Sequence, residues 1–168
     1  RRVHLLRGAV RTYAWGSRTA IADFVGAPSP TPHPEAELWF GAHPAAPARC
    51  VRGDEPADAA HRDLLAVITD DPTRELGEPT AKRFGQRLPF LLKVLAADEP
   101  LSLQAHPSAQ QAVQGFELEN HLGIPVNAPT RNYRDRSHKP EILVALQPFA
   151  ALAGLSLAVE VSVGSGKA

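Results

Sequence analysis

The residues best suited to chemistry in this sequence are a serine, a glutamine and a histidine at alternate positions of LSLQAHP, residues 101–107. Alternate residues of an extended strand share a face, so Ser102, Gln104 and His106 are predicted to point one way and the apolar residues between them the other. An amide oxygen and an imidazole nitrogen suit a divalent metal such as zinc. The alternative is an ordinary half-buried strand end, although a water-facing side more often carries Lys, Glu or Thr.

A second segment, HKPE at residues 138–141, supplies a carboxylate and an ammonium group. Because Pro140 disfavours helix at the residue before it, Lys139 and Glu141 are expected to project from the same face of an extended chain. On a surface they would be an ordinary ion pair. If the face is interior, Glu141 would complete the mixed nitrogen and oxygen site begun by the first segment, and Lys139 could hold a substrate oxygen.

Two further charged residues interrupt apolar strands. Lys93 stands in FLLKVLAA, where an ammonium is costly unless it is paired or lines a cavity, and the alternative is an exposed lysine on an edge strand. Glu37 in AELW poses the same choice between a solvent-facing residue and a carboxylate in that cavity. Trp15 and Trp39, the only two tryptophans, are expected to pack in the core. His43 is interpreted as a loop or packing residue.

Composition narrows the possible classes of protein. The 168 residues, 43% hydrophobic and 21% charged, are typical of one soluble domain, and 16 prolines favour loops over long helices. Eighteen basic and 18 acidic residues give zero net charge, which argues against binding to nucleic acid or an anionic membrane. A single cysteine, Cys50, and the lack of a secretory signal favour the cytoplasm. Flanking arginines could lower the pKa of Cys50, but no base stands at a fixed spacing from it.

The elements that must position these residues are predicted to be short. Helices are expected at 20–24, from an N-cap at Asp58 through Ile68 and ending before Pro72, at 80–84, and from Ser108 to 122. Strands are expected at 36–40, 89–97, 101–106, 142–146 and 155–163. The apolar stretch 142–163 approaches the length of a membrane span, but Gln147, Pro148, Gly154 and Glu160 interrupt it.

Six ordered motifs resemble those of the class I mannose-6-phosphate isomerase family, in its bacterial form. They are YAWGS (13–17), AELWFGAHP (36–44), LPFLLKVL (88–95), LSLQAHP (101–107), GFELEN (115–120) and RNYRDRSHKPE (131–141). The resemblance implies a mainly β fold with short helices. That fold is part of a cupin (jelly-roll) barrel without the later helical domain and closing strands. It would occupy residues 1–154, followed by a divergent tail at 155–168.

The resemblance also implies an activity and a set of site residues. Members interconvert mannose 6-phosphate and fructose 6-phosphate through a zinc-assisted cis-enediol, feeding mannose and GDP-mannose metabolism. By motif match, the zinc ligands expected here are Gln104, His106 and Glu141. The residues expected around a phosphorylated hexose are Ser102, Trp15 and Glu37 for binding and Lys139 and Lys93 for catalysis. The family's fourth zinc ligand, a later histidine, and its catalytic arginine have no counterpart in this sequence.

Two functional hypotheses therefore stand. The first is an isomerase whose remaining parts lie downstream or on a partner chain, which fits the lack of any methionine and a short polar tail. The second is a non-catalytic metal- or sugar-binding cupin fragment, inactive without the fourth ligand and the arginine. The family is usually monomeric, but a partial barrel leaves strand edges and apolar faces open, so self-association is expected.

Overall fold

Every helix and strand is short in the computed structural model, which describes residues 5–51, 62–101, 105–152 and 158–161. The helices are α1 Ala20–Val25, α2 Leu64–Asp70, α3 Pro72–Leu76, α4 Glu78–Phe84 and α5 Ala109–His121. The strands are β1 Leu5–Arg7, β2 Ala9–Arg11, β3 Glu37–Phe40, β4 Arg49–Val51, β5 Leu92–Leu95, β6 Phe149–Leu152 and β7 Ala158–Val161. The chain divides into an N-terminal unit, Arg1–Ser102, and a C-terminal unit, Leu103–Ala168.

The N-terminal unit is organised on an antiparallel sheet in the order β2-β3-β5, beside a separate β1-β4 pair. Alternation along β3 gives this sheet two different faces. Leu38 points into a core with Ile21 and Ala96, both buried. Glu37 and Trp39 point to the opposite face, where Trp39 lies opposite Lys93 in register. The predicted strands at 36–40 and 89–97 are confirmed, with trimmed ends.

The turn in YAWGS is fastened to this sheet by its backbone. Ser17 donates its N–H to the carbonyl of Ala96 at 3.0 Å. A Cβ atom on Gly16 would lie 2.5 Å from the backbone nitrogen of Ala36. Only glycine therefore allows the turn to approach the backbone of Ala36, the residue before β3, this closely.

The helices of the N-terminal unit begin and end at capping residues and prolines. For α2 the capping residue differs from the predicted one. The predicted N-cap Asp58 lies outside the described residues, and α2 begins instead after Asp63, whose Oδ1 accepts from the N–H of Ala66 at 2.6 Å. The helix ends before Pro72, as predicted, because proline cannot continue it; Pro72 then opens α3. The end of α4 at Gly85 is also confirmed.

The C-terminal unit contains the best-defined helix. Ser108 caps α5 in a capping box: its Oγ accepts from the N–H of Gln111 at 3.3 Å, and the Gln111 side chain accepts from the N–H of Ser108 at 2.9 Å. The helix is followed by Gly123 at φ 71°. Its predicted bounds are thus confirmed, as is strand structure within 155–163, where β7 pairs with β6.

Of two further predicted strands, one is wrong and the other lies partly outside the described residues. The prediction at 142–146 is wrong: this segment is irregular, and Ile142 is 93% exposed. Its sequence suits a strand, but a strand forms only when a neighbour accepts and donates its backbone hydrogen bonds, and none of the described residues does so. For the prediction at 101–106, residues 102–104 lie outside the described ranges, and the described residues 101, 105 and 106 are irregular. In the described part of the chain no helix has the length and apolarity to cross a membrane.

Replacing Gly16 with alanine should destabilise the N-terminal unit by about 3 kcal/mol, because the new methyl group collides with the backbone of Ala36, next to β3. Gly26→Ala is the comparison: it has no neighbour within 4 Å but a φ of +70°, so it should cost only about 1 kcal/mol of backbone strain. Urea unfolding of both variants measures the difference. Equal losses would show that the close approach at Gly16 does not matter.

Candidate active site

The polar face of the three-stranded sheet gathers a carboxylate, an indole and an ammonium. Glu37 is 8% exposed, and its Oε2 accepts from Nε1 of Trp39 at 2.8 Å. Nζ of Lys93 lies 3.7 Å from the other carboxylate oxygen and 5.2 Å from the centroid of the Trp39 ring. Lys93 lies on the edge strand of the sheet as the described residues form it, but its charge is matched by a buried carboxylate. The two charged strand residues thus share one environment.

Trp39 has a larger role than the core packing predicted for it. It is buried, but its ring bonds Glu37 and meets the edge of the His43 imidazole at a centroid distance of 5.0 Å. Nδ1 of His43 accepts from the N–H of Ala45 at 3.1 Å. His43 is therefore a loop residue that packs on Trp39, as predicted. The spacing of Glu37 and Trp39, two residues apart in a strand, was the available signal for their contact.

Arg11 and Tyr13 join Trp15 to this face. The guanidinium carbon of Arg11 lies 5.1 Å from the Trp39 centroid and 5.4 Å from the Tyr13 centroid. Nε of Arg11 also donates to the Tyr13 hydroxyl at 3.3 Å. The rings of Tyr13 and Trp15 stack at 5.7 Å with an interplanar angle of 22°. Sequence reasoning missed Arg11, because an arginine in a short strand carries no pattern of its own.

In the C-terminal unit the structure brings His106 and Glu141 together. Nε2 of His106 lies 3.9 Å from Oε2 of Glu141, although the residues are far apart in sequence. Zinc binds nitrogen and oxygen ligands at about 2.0–2.2 Å, so two atoms within about 4.2 Å can contact one ion. The pair therefore fits a metal site. Lys139 is exposed and lies in an irregular segment.

Two other predicted site residues, Ser102 and Gln104, lie outside the described residues. Within the described ranges no group of three or more His, Cys, Asp or Glu side chains could hold a metal ion. The predicted third ligand is a glutamine and is not of these types. The ligand set therefore stays a prediction, supported for two of its members by their separation.

A buried ion pair positions the segment that leads to HKPE. The side chain of Arg131 is fully buried, and its Nε lies 3.0 Å from Oε2 of Glu119 on α5. The same guanidinium donates to the carbonyls of Ile124 at 2.6 Å and Tyr133 at 2.7 Å and to Oδ1 of Asn120 at 2.8 Å. The motifs GFELEN and RNYRDRSHKPE are thus two halves of one contact.

The carboxylate of Glu119 receives further donors. Oε1 accepts from the N–H of Asn132 at 3.0 Å, and Oε2 accepts from the N–H of Tyr133 at 2.7 Å. Burial by itself would raise the pKa of Glu119, but these backbone hydrogen bonds, the Asn132 side chain and the charge of Arg131 lower the pKa on balance. Gly115 completes the arrangement, because a Cβ atom there would lie 2.5 Å from the Tyr133 ring.

Cys50 shows none of the activation that its flanking arginines suggested. Its pKa is raised, first by burial and then by the carboxylates of Glu75 and Asp63, which outweigh the opposing charge of Arg62. A thiol with a raised pKa is a poor nucleophile. This environment therefore disfavours a reactive thiolate at Cys50.

These arrangements can be compared with known proteins. The sequence matches the family model for the catalytic domain of type I phosphomannose isomerase over residues 3–157. The chain belongs to the type I phosphomannose isomerase family. It is 48% identical over 147 residues to mannose-6-phosphate isomerase of Escherichia coli K12, covering 88% of this chain and 36% of that protein. It is 35% identical over 161 residues to the Pan troglodytes enzyme, covering 91% of this chain and 34% of that protein.

Comparison with solved structures supports the same family. A structure of the Salmonella typhimurium mannose 6-phosphate isomerase, described as bound to its substrate f6p and to zinc, is 46% identical with a TM-score of 0.75. The likeness covers 86% of this chain and 35% of that one. This confirms the predicted fold class, part of a cupin-type domain with small antiparallel sheets and short helices. The chain spans about a third of the length of the relatives it matches.

Trp39→Phe should destabilise the N-terminal unit by about 2 kcal/mol, because it keeps an aromatic ring but removes the donor from the buried Glu37 carboxylate. Trp15→Phe is the matched control, since the Trp15 indole donates no hydrogen bond to the described residues, and a loss of about 1 kcal/mol or less is expected. Chemical denaturation of both variants tests this. If the two losses are equal, the Trp39 to Glu37 bond contributes nothing measurable.

Glu119→Gln should destabilise the chain at neutral pH, and its difference from the parent should shrink in acid. Because the folded-state pKa of Glu119 is lowered, its stabilisation is present above the ordinary glutamate pKa of about 4.3 and is lost as pH falls through the lowered value. Glu117→Gln removes the same charge from an exposed pair with Arg136 and should have little effect. Thermal unfolding across pH 2–7 distinguishes the two, and a pH-independent loss at Glu119 would contradict the assignment.

Proposed function

We propose that the protein containing this chain interconverts mannose 6-phosphate and fructose 6-phosphate through a metal-assisted cis-enediol. The observation that carries the proposal is the approach of His106 to Glu141, at 3.9 Å, in a chain of this family. The relatives support it, since the Salmonella typhimurium structure holds fructose 6-phosphate and zinc. A cytoplasmic location and a contribution to GDP-mannose synthesis belong to the same proposal.

His106 and Glu141 would hold the zinc ion together with Gln104. When bound, the metal would act as a Lewis acid on the carbonyl and hydroxyl oxygens of the first two sugar carbons. Lys93 would hydrogen-bond a substrate oxygen or relay a proton, with Glu37 neutralising its charge in the resting state. Lys139, in the HKPE segment, would likewise hydrogen-bond a substrate oxygen or relay a proton. Ser102 would contact the phosphate and Trp15 would line the sugar site.

A second candidate is a non-catalytic zinc- or sugar-binding role. The exposure of the ligand pair favours it: the His106 side chain is 35% exposed and that of Glu141 is 56% exposed. Enediolate chemistry gains from a site that excludes water, because charges inside it interact more strongly.

The exposed apolar side chains of 142–146 also support the predicted self-association.

Zinc binding and turnover test the two roles separately. Competition with a chromophoric chelator should show stoichiometric zinc binding, and His106→Ala or Glu141→Gln should weaken it at least about tenfold. His121→Ala removes an exposed histidine at the end of α5 and is the matched control. Equal affinity in all three variants would refute the ligand assignment.

A coupled assay for fructose 6-phosphate formed from mannose 6-phosphate, with and without zinc, then decides between the candidates. Zinc-dependent turnover that falls at least about tenfold in Lys93→Gln supports the isomerase. Zinc binding through His106 without turnover supports the non-catalytic role. Folding of each variant is checked by its circular dichroism spectrum.

A further inference from the structure

Helix α5 connects the two segments that carry the metal pair. His106 comes two residues before Ser108, whose capping box starts the helix. Glu119, about 16 Å further along the helix, accepts hydrogen bonds from the backbone of Asn132 and Tyr133, which lead into HKPE. One ligand is therefore attached to the start of α5, and the segment that carries the other is attached near its end.

The segment after Tyr133 runs back along α5 toward the start of the helix. Arg136 forms an ion pair with Glu117, and further along the chain Glu141 comes within 3.9 Å of His106. Both side chains of the Arg136 to Glu117 pair are exposed, so this pair contributes little to holding the segment.

Arg131 is the last buried residue before Glu141. Residues 132–141 are all half-buried or exposed and form no helix or strand. The Arg131 guanidinium binds the Glu119 carboxylate and the carbonyls of Ile124 and Tyr133, so it cannot move without leaving a buried charge unpaired. The position of Glu141 is therefore set from this point outward. A ligand on a segment that is already fixed loses less entropy when it binds.

We propose that Glu119 and Arg131 are positioning residues for the metal site. By fixing residues 131–133 to α5 they set the separation of Glu141 from His106, and they thereby raise the affinity for zinc without touching the ion. The inference rests on the proposed function, since it assumes these two metal ligands. It adds a cause for their approach that lies near the far end of the helix.

The first test is the zinc affinity of Glu119→Gln. Both carboxylate oxygens accept from N–H donors, of Asn132 on one side and of Tyr133 and Arg131 on the other, so either orientation of an amide places its NH₂ group against a donor. Competition with a chromophoric chelator should show an affinity at least about tenfold below that of the parent. The measurement is made well below the melting temperature, where circular dichroism shows a folded chain.

A second substitution keeps the test decisive if Glu119→Gln does not fold. Arg131→Lys retains a positive charge beside Glu119 but cannot also reach the carbonyls of Ile124 and Tyr133. Its zinc affinity should lie between those of the parent and of Glu119→Gln. Parental affinity in folded Arg131→Lys and in folded Glu119→Gln would overturn the proposal.

Two controls separate positioning from general destabilisation. Glu117→Gln makes the same chemical change two residues away on α5, at an exposed pair, and should bind zinc like the parent. Gly16→Ala destabilises the other unit and should also leave the zinc affinity unchanged while the chain is folded. A loss in either control as large as that in Glu119→Gln would overturn the proposal.

A double-mutant cycle tests whether Glu119 acts through Glu141. In the Glu141→Gln background the added change Glu119→Gln should lower zinc affinity by less than about twofold, because the ligand that it positions is already altered. A further loss of about tenfold in that background would contradict a positioning role, since a purely structural effect adds to the first.

Failure of the proposed metal site is distinguishable from failure of this inference. If His106→Ala and Glu141→Gln bind zinc as the parent does, the ligand assignment itself is wrong. If both weaken binding while folded Glu119→Gln does not, the ligands stand and the positioning role is refuted. Turnover does not enter, because zinc affinity is measured without substrate.

Discussion

A carboxylate that leaves water must be given hydrogen-bond donors and positive charge, and each unit of this chain has such a group among its described residues. Glu37 is matched by the Trp39 indole and by Lys93. Glu119 is matched by Arg131 and by the backbone N–H groups of Asn132 and Tyr133. Removing one partner would leave a buried charge uncompensated, so the local folds around both groups are strongly constrained.

These two constraints have different consequences for the candidate site. In the N-terminal unit, the partners of Glu37 are themselves the groups proposed to meet substrate, so structure and chemistry use the same residues. In the C-terminal unit, the ion pair ties α5 to residues 131–133, and the metal pair lies further along the same segment. The Glu119 to Arg131 contact thus has a supporting role and touches no proposed ligand.

Local signals in the sequence predicted much of the fold. The helix start at Ser108 and the helix end at Gly85 act through nearest neighbours, and the structure follows them. The prediction at 142–146 failed because a strand depends on a partner, which local pattern does not reveal. Asp63, and not the predicted Asp58, caps α2; both are aspartates ahead of the apolar repeat, so local pattern does not choose between them. The Arg11 stack and the Arg131 to Glu119 pair arise from long-range contacts, and no spacing rule predicts them.

Zinc K-edge X-ray absorption on the zinc-loaded chain and on its His106→Ala variant tests the proposed metal ligands most directly. Nitrogen and oxygen ligands only are expected, at about 2.0–2.2 Å, with an imidazole scattering contribution that decreases in the variant. A sulfur shell at about 2.3 Å, which only Cys50 could supply, or an imidazole signal unchanged by the substitution would contradict this ligand assignment.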